Sequence, residues 1–254
     1  MPSSDRRPVR NGLLRAVPPE DFGLLRPHLD RVPLGKGDVV IHPGQPFEYA
    51  YFPESGLASV VCLTDGGQRL EVGMLGREGM IPTGLVLGAD RTPSETLCQM
   101  EGDWLRIGAD ALRRVMEQSP ALHGVLMRYA QTFLLTVGQT ALANGLYKTE
   151  ERLARWLLMA HDRLDGDGLP LTHEFLSVML GVHRPGVTVA LHILEGAGMI
   201  RAKRGLIAVL DRGKLCEAAG NSYGPAEAEY ERLIGPFREH GAGATGDGPR
   251  DASE

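Results

Sequence analysis

Six basic residues (Arg184, Arg201, Lys203, Arg204, Arg212 and Lys214) face only two acids, Glu195 and Asp211, in a short stretch of a chain whose formal net charge is −5. A local balance of +4 inside an acidic chain is the concentration that contact with a phosphate backbone requires. Arg184, Thr188 and His192 follow one another at steps of four, which places them on one side of a helix. A guanidinium held at the exposed start of a helix can take both acceptors on a guanine edge, and the groups beyond it reach neighbouring bases. This chemistry is recognition, without bond making. The chain carries no Ser-His-Asp arrangement at a recognisable motif, no HExxH, no P-loop and no Rossmann fingerprint, so no enzyme activity is expected. His183 and His192 are nine residues apart, too far to share an ion, and with His161 and His173 they suggest no metal site.

The elements that must hold these groups lie between Leu171 and Ile200, "LTHEFLSVMLGVHRPGVTVALHILEGAGMI". Thr172 is a natural N-cap, and Leu171 before it can staple onto Leu176. Phe175, Leu176, Met179 and Leu180 give the buried face of a helix of barely two turns, which Gly181 ends in a left-handed conformation. A second helix starts near His183 or Arg184. Its buried stripe is Val187, Ala190, Leu191 and Leu194, and Pro185 falls in the first turn, where no N–H is needed. Arg184, Pro185, Thr188, Val189 and His192 are left facing outward. A helix–glycine turn–helix with a free N-terminal half is helix-turn-helix geometry, whose second helix enters the major groove. Downstream, Ile200-Arg201, the basic turn Lys203-Arg204-Gly205 and Leu206–Leu210 read as a strand–turn–strand wing along the phosphates. The expected DNA-binding set is Thr172, His183, Arg184, Pro185, Thr188, His192, Lys203 and Arg204. The competing reading is a protein-interaction module whose basic turn is merely solvated.

Upstream, residues 18–30 read as a short helix. From Val32 to about Ile107, short β-rich runs (DVVIH, YAYFP, LASVVCL, QRLEVGML, DWLRI) alternate with Gly, Pro and Asp, as in an antiparallel barrel or β-roll, with Asp65-Gly66-Gly67 as a hairpin turn. Residues 120–146 form a long helix. Its Leu122, Leu126, Tyr129, Phe133, Val137 and Thr140 are spaced like a coiled-coil seam. This stripe either packs on the chain's own barrel or pairs two subunits. Leu134, Leu135 and Leu142 offer a second apolar face for the barrel, which favours the dimer interface. Another helix runs from Thr149 to about Leu164. The expected domains are 18–146, a sensor ending in the dimerisation helix; 147–236, for DNA; and 237–254, a disordered tail. Cys62, Cys98 and Cys216 are few, odd in number and dispersed, which fits buried, reduced thiols in a cytoplasmic protein. No run is long enough to span a bilayer, and the N-terminus lacks the apolar region of a signal peptide. A cupin-like enzyme would need clustered ligands on the barrel, where only His42 is found.

With these residues in view, "LTHEFLSVMLGVHRPGVTVALHILEGAGMIRAKRGLIAVLDRGKL" resembles the winged helix-turn-helix of the Crp–Fnr regulators. Thr172, Leu180, Gly181, Arg184, Val187, Leu191, Leu194, Gly198 and Ile200 all fall on that family's pattern. The resemblance implies an α+β chain: an N-terminal antiparallel β-roll or jelly-roll barrel, a long dimerisation helix and a C-terminal winged helix-turn-helix. It implies a homodimeric transcription regulator with double-stranded DNA, a second copy of itself and RNA polymerase as partners, and no membrane. Two departures matter. Pro185 and Gly186 follow the reading arginine where the family often has an acid and a threonine, and Val189 stands where many members have a second arginine. The family's phosphate-binding cassette corresponds to "GREGMIPTGLVLGADRTPSETL". Here Gly79 is kept, Met80 occupies the place of the ribose-binding glutamate, and Arg91-Thr92 is followed at once by Pro93. Loss of that charged partner is worth on the order of 1.5–3 kcal/mol. No cofactor is therefore expected, and a cyclic nucleotide or other effector between Gly79, Arg91 and Thr92 is the alternative.

Overall fold

The computed structural model describes residues 8–237. Apart from Phe237, the tail expected over 237–254 lies outside the described residues. Two short helices, α1 (Gly12–Arg15) and α2 (Pro19–Leu25), lead through a 3-10 turn ending at His28 into seven strands. These are β1 (Asp30–Leu34), β2 (Val39–Ile41), β3 (Tyr49–Pro53), β4 (Leu57–Leu63), β5 (Arg69–Leu75), β6 (Glu95–Met100) and β7 (Gly102–Gly108), with helix α3 (Thr83–Val86) between β5 and β6. They pair antiparallel in two sheets, of order β1-β7-β3 and β2-β6-β4-β5. The β4–β5 hairpin closes where expected: Thr64 N–H donates to Gln68 O at 3.0 Å, and Gly67 has a φ of +76°.

Two strands, β1 and β6, were not singled out by the sequence. Pro33 masks β1, and it is tolerated because β1 is an edge strand. In β6 the buried residues include Thr96 and Gln99, so an apolar pattern does not show. Strand alternation, with a register shift of β6 against β4 at Leu57–Ala58, divides the larger sheet between two cores. Ala58, Leu75 and Cys98 pack inward with Trp104 and Ile81, while Leu57, Met74 and Met100 turn outward beneath the C-terminal helices.

Helix α4 (Ala109–Gln118) is followed by α5 (Pro120–Leu146), the long helix expected over these residues. Ser119 starts α5 by accepting a hydrogen bond from Leu122 N–H at 3.0 Å. The faces of α5 are the reverse of those expected. Leu122, Leu126 and Tyr129 are fully buried in the chain's own core, among Phe52, Leu85 and Leu112. Phe133 and Val137 lie over Gly73 of β5, where a side chain on that glycine would collide with the phenyl ring. The Thr140 hydroxyl bonds its own helix at Thr136 O. Groups already packed inside one subunit are not available to form a seam with another. Leu134 and Leu142, expected against the barrel, are instead exposed, Leu134 at 63%.

The chain breaks at Tyr147-Lys148 and enters α6 (Thr149–Arg163), followed by β8 (Gly168–Leu169), α7 (His173–Leu180), α8 (Arg184–Gly196), β9 (Ile200–Lys203), β10 (Leu206–Val209), α9 (Arg212–Ala219) and α10 (Pro225–Leu233). No single helix among the described residues is long and apolar enough to cross a membrane. The last helix leaves the C-terminal unit and returns to the first half. Tyr230 is buried in the β-roll core with its hydroxyl donating to Glu78 O at 2.8 Å, and Arg128 Nε donates to Leu233 O at 2.9 Å.

Polar contacts complete the joint between the halves. Arg163 and Glu78, both buried, form an ion pair at 2.8 Å, and the arginine also donates to Met159 O and lies over the Phe237 ring. Asp165 takes Arg10 and Arg77 at 2.9 and 2.7 Å. Glu71 of β5 accepts from Trp156 Nε1 of α6 at 2.8 Å and from the Ser59 hydroxyl. Burial pushes its carboxyl up to about 7, against the weaker opposing effect of these hydrogen bonds and of Arg155 and Arg163.

Candidate nucleic-acid interface

The two helices of the reading unit form as the local chemistry dictates. Thr172 Oγ1 accepts from Phe175 N–H at 3.2 Å and caps α7. Leu171, Leu176, Met179 and Leu180 are buried with Val187, Ala190, Leu191 and Leu194 of α8 in one core. Gly181 ends α7 at φ 61°, ψ 36°, and a Cβ there would come within 2.7 Å of Leu70 Cδ1 of β5. Glycine is therefore favoured by the left-handed turn, and a side chain there would also displace the tip of Leu70. His183 precedes α8 as its N-cap residue and Pro185 occupies its first turn.

What remains outward agrees with the sequence reading in most particulars. Thr172, His183, Arg184, Pro185, His192, Lys203 and Arg204 are all exposed. Between α8 and the β9–β10 wing lies an open cleft of about 530 Å³, whose walls include Thr172, Arg184, His192, Lys203 and Arg204. Gly205, at φ +74°, makes the wing turn, and Glu195 Oε1 accepts from Ala202 N–H at 2.9 Å to tie the wing to α8. Arg184 stands at the α8 N-terminus, where the helix dipole adds to the positive field. Thr188 is the exception. It is half-buried, its hydroxyl donates to Arg184 O at 3.2 Å, and His173 Nδ1 stands 3.1 Å away.

The basic count is also smaller than it looked. Arg212 is a structural residue: it pairs with buried Asp162 at 2.7 Å, reaches Tyr223 Oη at 2.5 Å and lies 3.2 Å from His161 Nδ1. Lys214 sits 3.6 Å from Asp211. Arg184, Arg201, Lys203 and Arg204 have no ion-pair partner among the described residues and are the cations presented to a ligand. No local signal could have exposed the Asp162–Arg212 pair, whose members lie fifty residues apart in sequence. Glu195 was missed for a similar reason, since counting charge treats every acid as a cost.

The alternative effector site, Gly79 with Arg91 and Thr92, presents no polar centre at Gly79 and Met80. Gly79 is buried, its carbonyl accepts from Asn11 Nδ2 at 2.8 Å, and a Cβ there would fall on the Tyr129 hydroxyl. Met80 is fully buried in the core. Arg91 is exposed and bound to Asp90 at 2.9 Å. The side chain of Thr92 accepts from Ser94 N–H at 3.2 Å, and its carbonyl accepts from Gly44 N–H. The place of the ribose carboxylate is thus apolar, and the guanidinium of Arg91 lies in solvent beside Asp90. The cysteines also depart from expectation. Cys98 is buried and its thiol is pushed up to about 12, chiefly by desolvation, but Cys62 is exposed, 3.6 Å from the Ser94 hydroxyl, because it lies at the solvent end of β4.

Comparison with known proteins bears on both halves. The Crp-like helix-turn-helix domain matches residues 151–218, and the cyclic nucleotide-binding domain matches residues 31–119. The chain belongs to the Crp/Fnr family. Such a chain is a transcription regulator, with a cyclic nucleotide-binding-like domain ahead of its helix-turn-helix. It is 24% identical over 201 residues to the transcriptional activator protein anr of Pseudomonas aeruginosa, covering 74% of this chain and 80% of that one. The fold is shared with a Crp/Fnr-family regulator of Eubacterium rectale, at 19% identity and TM-score 0.64 over 82% of this chain and 97% of the other. It is shared too with the c-di-GMP responsive global regulator CLP of Xanthomonas campestris, at 18% identity and TM-score 0.59 over 75% and 98%. In this Crp/Fnr chain the DNA-facing half keeps the family's pattern, while the cassette of the sensor half has lost its polar centre.

Proposed function

We propose that the chain is a homodimeric, sequence-specific reader of double-stranded DNA whose base contacts start at Arg184. The observation that carries this is the cleft between α8 and the wing, where Arg184, His192, Lys203 and Arg204 converge without an ion-pair partner among the described residues. Arg184 takes a guanine edge, His192 a neighbouring base, and Lys203 and Arg204 the phosphates, with Thr172 on a phosphate at the α7 N-terminus. Thr188 acts through the position of its neighbours. The subunits pair along the exposed stripe of α5, where Met127, Gln131, Leu134, Gly138, Ala141 and Gly145 follow at heptad-like spacing. Small residues in the second half of that stripe allow close approach of two helices. The domains divide at Tyr147-Lys148, with α10 returning as a brace on α5.

The sensor half acts without the usual ribose carboxylate, so an effector, where one exists, binds by other contacts than the cassette. The test is selection of bound duplexes from a random library at physiological salt with no ligand added. A palindrome whose half-sites lie one helical turn apart is the expected product. Recovery of unrelated sequences would overturn the effector-independent reading.

A further inference from the structure

The reading helix carries an apolar strip in the place where a DNA reader is expected to be polar. Pro185 and Val189, one turn apart, stand on the side of α8 opposite its buried stripe, and both are exposed, Val189 at 59%. Neither side chain can donate or accept a hydrogen bond. Yet this strip is flanked by Arg184 and His192 on its own helix, with Lys203 and Arg204 on the wing beyond. The flanking charge requires that whatever meets this face be anionic, and the strip requires that the same partner offer hydrocarbon. In the major groove one base feature meets that second demand, the C5 methyl group of thymine.

We propose that Val189, with Pro185 beside it, reads thymine through its methyl group, so that each half-site places thymine next to the guanine taken by Arg184. This rests on the assignment of α8 as the reading helix. The five helical steps from Arg184 to Val189 advance about 7.5 Å along the helix, or roughly two base steps, so the methyl contacts fall within about two base pairs of the guanine. Ile193 continues the strip one turn beyond Val189 and is not part of the methyl contact. The Thr188 hydroxyl, bound to Arg184 O, removes the nearest polar competitor from the strip.

Deoxyuridine differs from thymidine only by the missing methyl, so the test replaces thymines one symmetric pair at a time in a duplex selected by the full-length wild-type chain. At the position read by Val189, the affinity should fall about fourfold per methyl, hence about fifteenfold for the pair. Val189→Ala should bind the thymine and uracil duplexes of that position equally, and Pro185→Ala should do so at its own position. Both residues are exposed, so neither variant should lose its fold. If uracil is tolerated at every position while Arg184→Ala still relaxes the preference at its guanine, the methyl reading is wrong and the reading-helix assignment stands. If sensitivity to uracil persists in both variants, another group reads the methyl and the proposal fails. If the wild-type chain selects no sequence, the assignment beneath it fails as well.

Discussion

Arg163, at the end of α6, and Arg184, at the start of α8, lie twenty-one residues apart in opposite surroundings. Arg163 is buried, paired with Glu78 across the joint between the halves, and stacked over Phe237. Arg184 stands in solvent at the mouth of a cleft, with no ion-pair partner among the described residues. One guanidinium has its charge satisfied within the fold and holds two halves together. The other is left unsatisfied, and that residual charge is available to a ligand. A count of basic residues does not separate the two cases. Their partners do, and those partners come from distant parts of the chain.

This contrast can be broken at several points. The largest effect is expected at the joint. Arg163→Ala strands a buried carboxylate and should cost about 3–5 kcal/mol in denaturant unfolding. The fraction that remains folded should keep its base preference, because Arg163 touches nothing on the reading face. Leu122→Ala should cost about 2–5 kcal/mol, since it opens a cavity in the core, and should leave self-association intact. Leu134→Glu should do the reverse: sedimentation should show a monomer of nearly wild-type stability. A Leu134→Glu chain that still sediments as a dimer would remove the exposed stripe from consideration as the seam.

Glu71 sharpens the comparison through pH. Its carboxyl is pushed up from 4.5 to about 7 in the folded chain, so the protonated form is the one favoured at the joint. The associated stability is fully present below about pH 4.5 and is lost as pH rises towards 7, then stays flat, a change on the order of 3 kcal/mol. Glu71→Gln keeps hydrogen-bonding capacity without a titrating proton and should flatten that slope. An unchanged slope in the variant would assign the dependence to other groups. The smallest effect belongs to the wing: Lys203→Ala should weaken binding uniformly across sequences and reduce the salt slope by about one.

What was legible in the sequence was local. Thr172, Gly181 and Pro185 each impose their own backbone conformation within a few residues, so α7, the turn and α8 could be placed residue by residue. The hairpin at Gly67 was legible for the same reason. The faces of α5 were not, because this helix is apolar nearly all round: Leu122 and Leu126 differ from Leu134 and Leu142 only in what the rest of the chain brings against them. The pairs Glu78–Arg163 and Glu71–Trp156 join residues eighty-five apart, and no spacing announces them. The loss of the cassette was visible at Met80. Its consequence, a methionine fully buried beside a glycine sealed by Tyr129, was visible only in three dimensions.

The most direct test of the central claim is duplex selection with wild-type and Arg184→Ala chains side by side, at one fixed salt concentration. The account predicts a palindrome with a guanine in each half-site for the wild type. It predicts a relaxed preference at that guanine for the variant, worth about 1–3 kcal/mol of discrimination. An identical palindrome recovered by both chains would contradict the assignment of Arg184, and with it the account of how this regulator reads DNA.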